Sequence, residues 1–159
     1  KCFNRAKKSN KNMSKLVIFD LDDTLLCADS EFHFTKYIVK QGMLDKDFYL
    51  EKIKAFDKDY RSGNLNFNDY MRFLLYPLIG KTKKEVDLLV TSFINSSKDI
   101  LIDDLTFELL EKHKKDDLLI ASGALDFIVQ GFANYFGVDE FIGTKTEFVE
   151  GKVLSLIHI

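Results

Sequence analysis

The chain of 159 residues has one proline, Pro77, and no stretch rich in glycine or proline, so nothing in it reads as a flexible linker between domains. Its two cysteines, Cys2 and Cys27, form no repeated pattern, which argues against a disulfide framework and makes reduced thiols in a cytoplasmic protein the expectation. No apolar run approaches membrane-spanning length, and the N-terminus lacks the apolar core of a signal peptide. Neither sign of charge dominates: 23 basic against 25 acidic residues leave a net charge of −2, with no global attraction to nucleic acid or an anionic membrane. Internal repeats are absent, and nothing in the pattern sets an oligomeric state. His33 and His113 have no partner at metal-ligand spacing, so packing or surface roles are expected for both.

What the chain does have is the makings of a core. It is 46% hydrophobic and 30% charged, and its length suits one compact domain with a small insertion. Residues 1–12 are polar and patternless, and Met13-Ser14-Lys15 reads as a natural start, so the first dozen residues are expected to be a non-native leader. Residues 154–159, Leu-Ser-Leu-Ile-His-Ile, resemble a translated adapter end, and a non-native tail following a break near Val153 is expected.

The organising stretch is Leu16 to Leu26, an apolar run ending in Asp20, Asp22 and Asp23. Val17, Ile18 and Phe19 predict a strand buried on both faces of a parallel sheet, with Asp20 at its carboxyl end, where α/β folds open their ligand crevice. In extended backbone Asp20 and Asp22 point to one side and Asp23 away. Two such charges 6 to 7 Å apart repel by roughly 2.5 kcal/mol at an effective dielectric near 20. A shared proton or a hard cation offsets that, and magnesium suits one or two carboxylates completed by water and substrate phosphate. The plain alternative is that Asp23 and Thr24 cap a following helix and the acids are solvated.

Downstream, Ser30 is placed to cap a helix over Glu31 to Gln41 that stops at Gly42. Tyr49, Ile53, Phe56 and Tyr60 form one stripe of a second helix ending at Gly63. A third runs from about Phe67 to Leu75 and breaks at Pro77 and Gly80. Thr82 and Glu85 make a capping box for a fourth, with Val86, Leu89, Val90 and Phe93 on one face. Residues 31–98 thus read as a helical insertion, within which aromatic residues such as Phe32, Phe48, Tyr49 and Phe56 suit packing. From Ile100 the α/β pattern resumes: a helix from Leu105 to Lys114, a strand from Leu118 to Ala121, a helix presenting Leu125, Ile128, Val129, Phe132 and Phe136 and stopping at Gly137, a strand ending at Phe141 to Thr144, and a hairpin from Glu147 to Val153 turning at Glu150-Gly151. The fold class expected is α/β, a Rossmann-like doubly wound parallel sheet with an inserted helical cap, the core being residues 13–30 and 99–153.

Ser122 and Gly123, placed between a buried strand and a helix, suit a phosphate: the hydroxyl donates a hydrogen bond, and glycine lets backbone amides approach an anion at the positive helix end. Capping is the ordinary alternative. Together with Asp20 and Asp22 on a neighbouring strand end, the phosphate reading is the better one.

Asp-Leu-Asp-Asp-Thr-Leu after an apolar strand resembles the first motif of the haloacid dehalogenase superfamily, Asp-x-Asp-x-Thr. Ala-Ser-Gly-Ala at 121–124 resembles the second motif of its phosphoserine-phosphatase-like branch. Leu65 to Phe73 and Pro77 to Gly80 are similar to a bacterial subgroup of phosphoserine- or histidinol-phosphatase type. The resemblance covers Leu16 to Val153. It implies a magnesium-dependent phosphomonoester hydrolase acting on a small phosphorylated metabolite through an aspartyl phosphate, with Asp20 as nucleophile and Asp22 as general acid/base. It further implies magnesium on the Asp20 carboxylate and the Asp22 main-chain carbonyl, and phosphoryl oxygens on Ser122 and the Gly123 amide. Asp29 falls where the branch carries an acidic substrate contact, helix-charge complementarity being its equal alternative, and Arg72 could meet a substrate carboxylate. The branch also needs a later lysine and a later acidic pair that completes the magnesium site. Lys152 is a candidate for the first, but its surroundings resemble the hairpin preceding that lysine, so both parts are expected beyond residue 159 and the chain as it stands is expected to turn over slowly or not at all. Two rivals stay open: a phospho-accepting receiver-like signalling domain, which accepts phosphate on a later strand, and a catalytically inactive phosphate-binding module.

Overall fold

The structure, a computed structural model, describes residues 15–154. The expected leader, the start at Met13, Cys2 and residues 155–159 of the expected tail lie outside the described residues. Leu154 is inside them, and its amide donates to the Glu147 carbonyl at the foot of the hairpin (3.0 Å).

Three parallel strands, β1 (Leu16–Phe19), β2 (Asp117–Leu125) and β3 (Glu140–Thr144), lie in the order β1-β2-β3. Between β1 and β2 come α1 (Ser30–Lys40), α2 (Lys46–Arg61), α3 (Phe67–Leu75), α4 (Lys83–Leu101) and α5 (Asp104–Lys112), and α6 (Asp126–Phe136) joins β2 to β3. A two-stranded hairpin of β4 (Phe148–Val149) and β5 (Lys152–Val153) follows, turning through Glu150 and Gly151 at φ +49° and +76°, the paired left-handed geometry of the tightest hairpin turns. Its second strand is tied to the insertion, Gly80 donating to the Val153 carbonyl (3.1 Å) and Val153 to that of Lys81 (2.9 Å).

Strand β1 is not buried on both faces as expected. Phe19 is buried, but Leu16 and Ile18 are 63% and 56% exposed, and Ile142 on the same sheet face is 59% exposed. The strand order supplies the reason. Both crossovers step the same way across the sheet, and connections of the usual hand then fall on one face. That face carries Val17, Phe19, Leu118, Ile120 and Phe141, with the His113 ring at the end of α5 edge-on to Phe19 (5.9 Å).

The insertion shares one apolar core with the sheet domain. Phe34 of α1 meets Phe93 of α4 edge-on (5.3 Å) and Phe127 of α6 (6.0 Å), and Phe93 meets Phe132 (6.1 Å). Glycine at 131 lets α6 approach α4, since a methyl group there would stand 2.4 Å from Val90 Cγ1. Helices α2 and α3 pack through Tyr49 stacked on Phe73 (4.7 Å) and Phe56 against Tyr70 and Phe73. Tyr60, the expected fourth member of the α2 stripe, is exposed. The Thr82–Glu85 capping box is present, and α4 runs on to Leu101, so the expected 98/99 boundary falls inside it.

Strand β2 is longer than expected and passes through Ser122, Gly123 and Ala124 before α6 begins at Asp126. Ala121 pairs with Ile142, and Leu125 with Thr144, so four steps of β2 run against two of β3. The extra residues bulge outward, with Ala124 N–H donating to Ser122 Oγ (3.1 Å) and Thr144 Oγ1 to the Gly123 carbonyl (2.6 Å). Glycine at 143 makes the bulge possible: a Cβ there would lie 2.7 Å from Asp126 Cα and 3.0 Å from the Ala124 carbonyl oxygen, backbone atoms that cannot swing aside. Gly143→Ala should therefore lower stability to urea by about 2 kcal/mol. Gly123→Ala, whose new methyl meets open space, should stay within about 0.5 kcal/mol of wild type. Equal stability of the two variants would contradict the packing described for the bulge.

Candidate active site

Asp20 follows Phe19, which pairs in parallel register with Ile120, so Asp20 stands level with Ala121 and one residue short of Ser122. The carboxylate and the serine-bearing bulge therefore share one edge of the sheet. After Asp20 the chain winds through one wide turn over Leu21–Leu25, closed by Leu26 N–H donating to the Leu21 carbonyl (2.9 Å). Leu21 and Leu25 are buried and anchor the turn. Asp23 takes φ +53°, a left-handed conformation that aspartate tolerates better than most side chains, which is what lets the chain reverse here.

The site's acids are held in different ways. Asp20 is exposed and accepts the Leu21 amide on Oδ1 (2.8 Å). Asp22 is half-buried and accepts the Ser30 amide (2.8 Å). Burial pushes its carboxyl up to about 6, with Asp29 and Asp20 adding repulsion and Ser30 opposing it. The Ser30 hydroxyl is buried and makes no well-formed hydrogen bond of its own. Because Asp22 takes the Ser30 amide, the helix cap moves back one residue: Asp29, not the expected Ser30, caps α1 by accepting the Phe32 amide (2.7 Å).

Ser122 and Gly123 lie in the bulge of β2, not at a helix N-terminus as expected, because pairing with β3 resumes at Leu125 and delays the helix. Gly123 is exposed, has no left-handed φ, and has no atom within 4 Å of where a side chain would begin. Nothing in the protein's own packing requires glycine there, and the free space borders the candidate site.

Arg72 is exposed on α3, and Lys152 sits on β5 close enough to Glu85 to help hold that carboxylate low. His113 hydrogen-bonds Asp116 (3.0 Å), and burial lowers His33. A cavity of about 750 Å³ opens elsewhere, between α5 and α6 at the amino ends of β2 and β3, lined by Phe107, Leu118 and Phe136. Leu118 is four residues from Ser122, roughly 13 Å along the strand, so the groove is separate from the acids.

Sequence reasoning passed over Glu31 and Tyr70. Glu31 is only 6% exposed; its Oε1 accepts the Leu125 amide (2.9 Å) and its Oε2 the Tyr70 hydroxyl (3.0 Å). The signal was present, since Glu31, Phe34, Thr35 and Ile38 form the buried i, i+3, i+4, i+7 stripe of α1, where a glutamate is out of place. Burial first, then the charges of Asp29 and Asp22, push Glu31 up to about 8. The Tyr70 hydroxyl is also pushed up, by burial and then by Glu31.

A parallel α/β core, interrupted after its first strand by helices and carrying an Asp-Leu-Asp-Asp-Thr loop beside a Ser-Gly bulge, defines the class of α/β proteins with a helical insertion. The family model for haloacid dehalogenase-like hydrolases matches residues 17–158, and the chain belongs to that family. It is 30% identical over 137 residues to a histidinol-phosphatase of Neisseria meningitidis serogroup C (strain 8013), covering 85% of this chain and 62% of that protein. Among solved structures it resembles a Bordetella pertussis Tohama I protein of unknown function, with a TM-score of 0.79 at 20% identity over 92% of this chain and 67% of that one. It also resembles a phosphoserine phosphohydrolase-like protein from Francisella tularensis subsp. tularensis SCHU S4, with a TM-score of 0.59 at 25% identity over 91% and 64%. No helix among the described residues is long and apolar enough to cross a membrane.

The raised Glu31 carboxyl fixes the sign of a pH effect. An acid that folding makes harder to ionise carries no penalty below its ordinary value of 4.5 and the full penalty above about 8. Stability to urea should therefore fall as pH rises from 4.5 to 8, and Glu31→Gln should flatten that slope. An unchanged slope in the variant would show that Glu31 ionises freely in the fold.

Proposed function

We propose that the chain carries the catalytic aspartates of a phosphomonoester hydrolase, with Asp20 as nucleophile and Asp22 as proton donor and acceptor. The observation that carries the reading is the parallel register of β1 and β2, which brings Asp20 and the Ser122–Gly123 bulge to one sheet edge. An Asp20 carboxylate oxygen attacks phosphorus as the bond to the leaving alcohol breaks, and Asp22 gives that oxygen a proton. Asp22 then takes a proton from water as the water oxygen attacks phosphorus, and the bond to Asp20 breaks to release phosphate. A value near 6 suits this exchange, because the group is protonated often enough to donate and gives the proton up readily. The Ser122 hydroxyl and Gly123 amide bind the phosphoryl oxygens, in the space that a side chain at 123 would occupy.

The donor set fits magnesium: the Asp20 carboxylate and Asp22 main-chain carbonyl are hard oxygens, and one or two carboxylates with phosphate and water are its usual company. No group of three or more acidic, histidine or cysteine side chains that could hold a metal ion gathers among the described residues. Water and substrate phosphate would add to the coordination. Bound there, magnesium would neutralise charge on the phosphoryl group.

For substrate we infer a small phosphorylated metabolite of the histidinol phosphate or phosphoserine kind, supported by the names of the Neisseria and Francisella relatives. We place the protein in the cytoplasm, where such metabolites occur and where the free thiol of Cys27 is stable. Asp29 and Arg72 border the substrate side in this reading, Asp29 at the head of α1 and Arg72 on α3.

Phosphate release from histidinol phosphate and phosphoserine, measured with magnesium, tests the reading. Asp20→Asn should reduce turnover by at least about a thousandfold. A variant that kept its rate would end the assignment of Asp20, and stable phosphorylation without phosphate release would favour a receiver-like role.

A further inference from the structure

The proposed chemistry makes no use of the most deeply buried acid near the site, Glu31. Its carboxyl bonds two distant parts of the molecule, and its backbone adjoins a third. Its own backbone follows Ser30, whose amide holds Asp22. Oε1 accepts the amide of Leu125, the residue at which the Ser122–Gly123 bulge rejoins β3. Oε2 accepts the hydroxyl of Tyr70 on α3, a helix of the insertion 39 residues away in sequence.

We propose that Glu31 is a positioning residue that couples the seating of the helical insertion to the shape of the Ser122–Gly123 bulge, through a Tyr70–Glu31–Leu125 relay. This rests on the reading of that bulge as the phosphate-binding element. When α3 is seated, Tyr70 satisfies one carboxyl oxygen and holds the side chain so that the other meets the Leu125 amide. When α3 lifts, Glu31 loses its partner in a buried place, and a carboxyl left so is free to turn away from Leu125. The substrate-facing bulge is then held firmly only under a seated insertion.

The relay works with a neutral carboxyl. Asp22 and Asp29 from the preceding loop and Tyr70 from α3 are the titratable groups that face Glu31; they and burial favour its protonated form. A protonated carboxyl still accepts the Leu125 amide on one oxygen and the Tyr70 hydroxyl on the other. A glutamine side chain keeps both contacts, accepting the Leu125 amide on its carbonyl oxygen and donating from Nε2 to the Tyr70 oxygen, so Glu31→Gln preserves the relay, whereas Glu31→Ala and Tyr70→Phe break it.

Amide hydrogen exchange followed by NMR on this chain, with and without inorganic phosphate, tests the proposal. In Tyr70→Phe the Leu125 amide should exchange roughly five- to tenfold faster, the change expected on loss of one hydrogen bond. Ile120 in the β1–β2 ladder should be unchanged, which separates coupling from general loosening. Glu31→Gln should match wild type at Leu125, and Glu31→Ala should match or exceed Tyr70→Phe. If Leu125 exchange ignores Tyr70→Phe, or if Glu31→Gln behaves like Glu31→Ala, the relay is wrong. Phosphate separates this from the functional reading. Shifts of Gly123 with phosphate but no response to Tyr70→Phe overturn the relay alone. Coupled exchange without any phosphate-induced shift supports the relay and overturns the phosphate reading.

Discussion

The parallel pairing of β1 with β2 is the constraint on which the rest depends. Parallel strands end at the same edge of a sheet, so once Phe19 is set against Ile120 the polar residues that follow each strand have to meet there. The apolar run of β1 stops at Asp20 and that of β2 at Ser122, one residue apart in level, so both polar groups come out at the same edge. Register, more than any contact between the two residues, sets them at one edge of the sheet.

The two sides of that edge are built by different means. On the β1 side, the wide turn with left-handed Asp23 brings Asp22 back beneath α1, where it takes the Ser30 amide and is partly desolvated. On the β2 side, the bulge exists because Gly143 yields space to the backbone of Ala124 and Asp126. The two glycines nearest the site thus have opposite explanations: Gly143 is required by the protein's own packing, and Gly123 is left bare towards the space where an anion would lie.

Much of this was legible in the sequence because it depends on local pattern. The order of strands and helices, the capping box at Thr82 and Glu85, the hairpin turn at Glu150-Gly151 and the acids at the end of β1 follow from periodicity and turn chemistry over a few residues. What was not legible depends on pairing across the chain. The exposed face of Leu16 and Ile18 follows from strand order, and the bulge at Ser122 from four residues of β2 opposing two of β3. The cap at Asp29 follows from Asp22 having claimed the Ser30 amide, eight residues away. Glu31 was visible as an oddity on an apolar stripe, but its partners, 39 and 94 residues distant, were not. Arg72 is the basic residue on α3 and is exposed, while the polar side chain of that helix that reaches a buried partner is Tyr70.

The most direct test of the central claim is a crystal structure of the protein grown with magnesium and beryllofluoride, a mimic of an aspartyl-bound phosphoryl group. One beryllofluoride bonded to the Asp20 carboxylate, with fluorines in hydrogen-bond contact with the Ser122 hydroxyl and the Gly123 amide, is the expected result. Beryllofluoride bound to Asp20 but out of reach of Ser122 and Gly123, or bound at another carboxylate, would show that the two strand ends do not form one site.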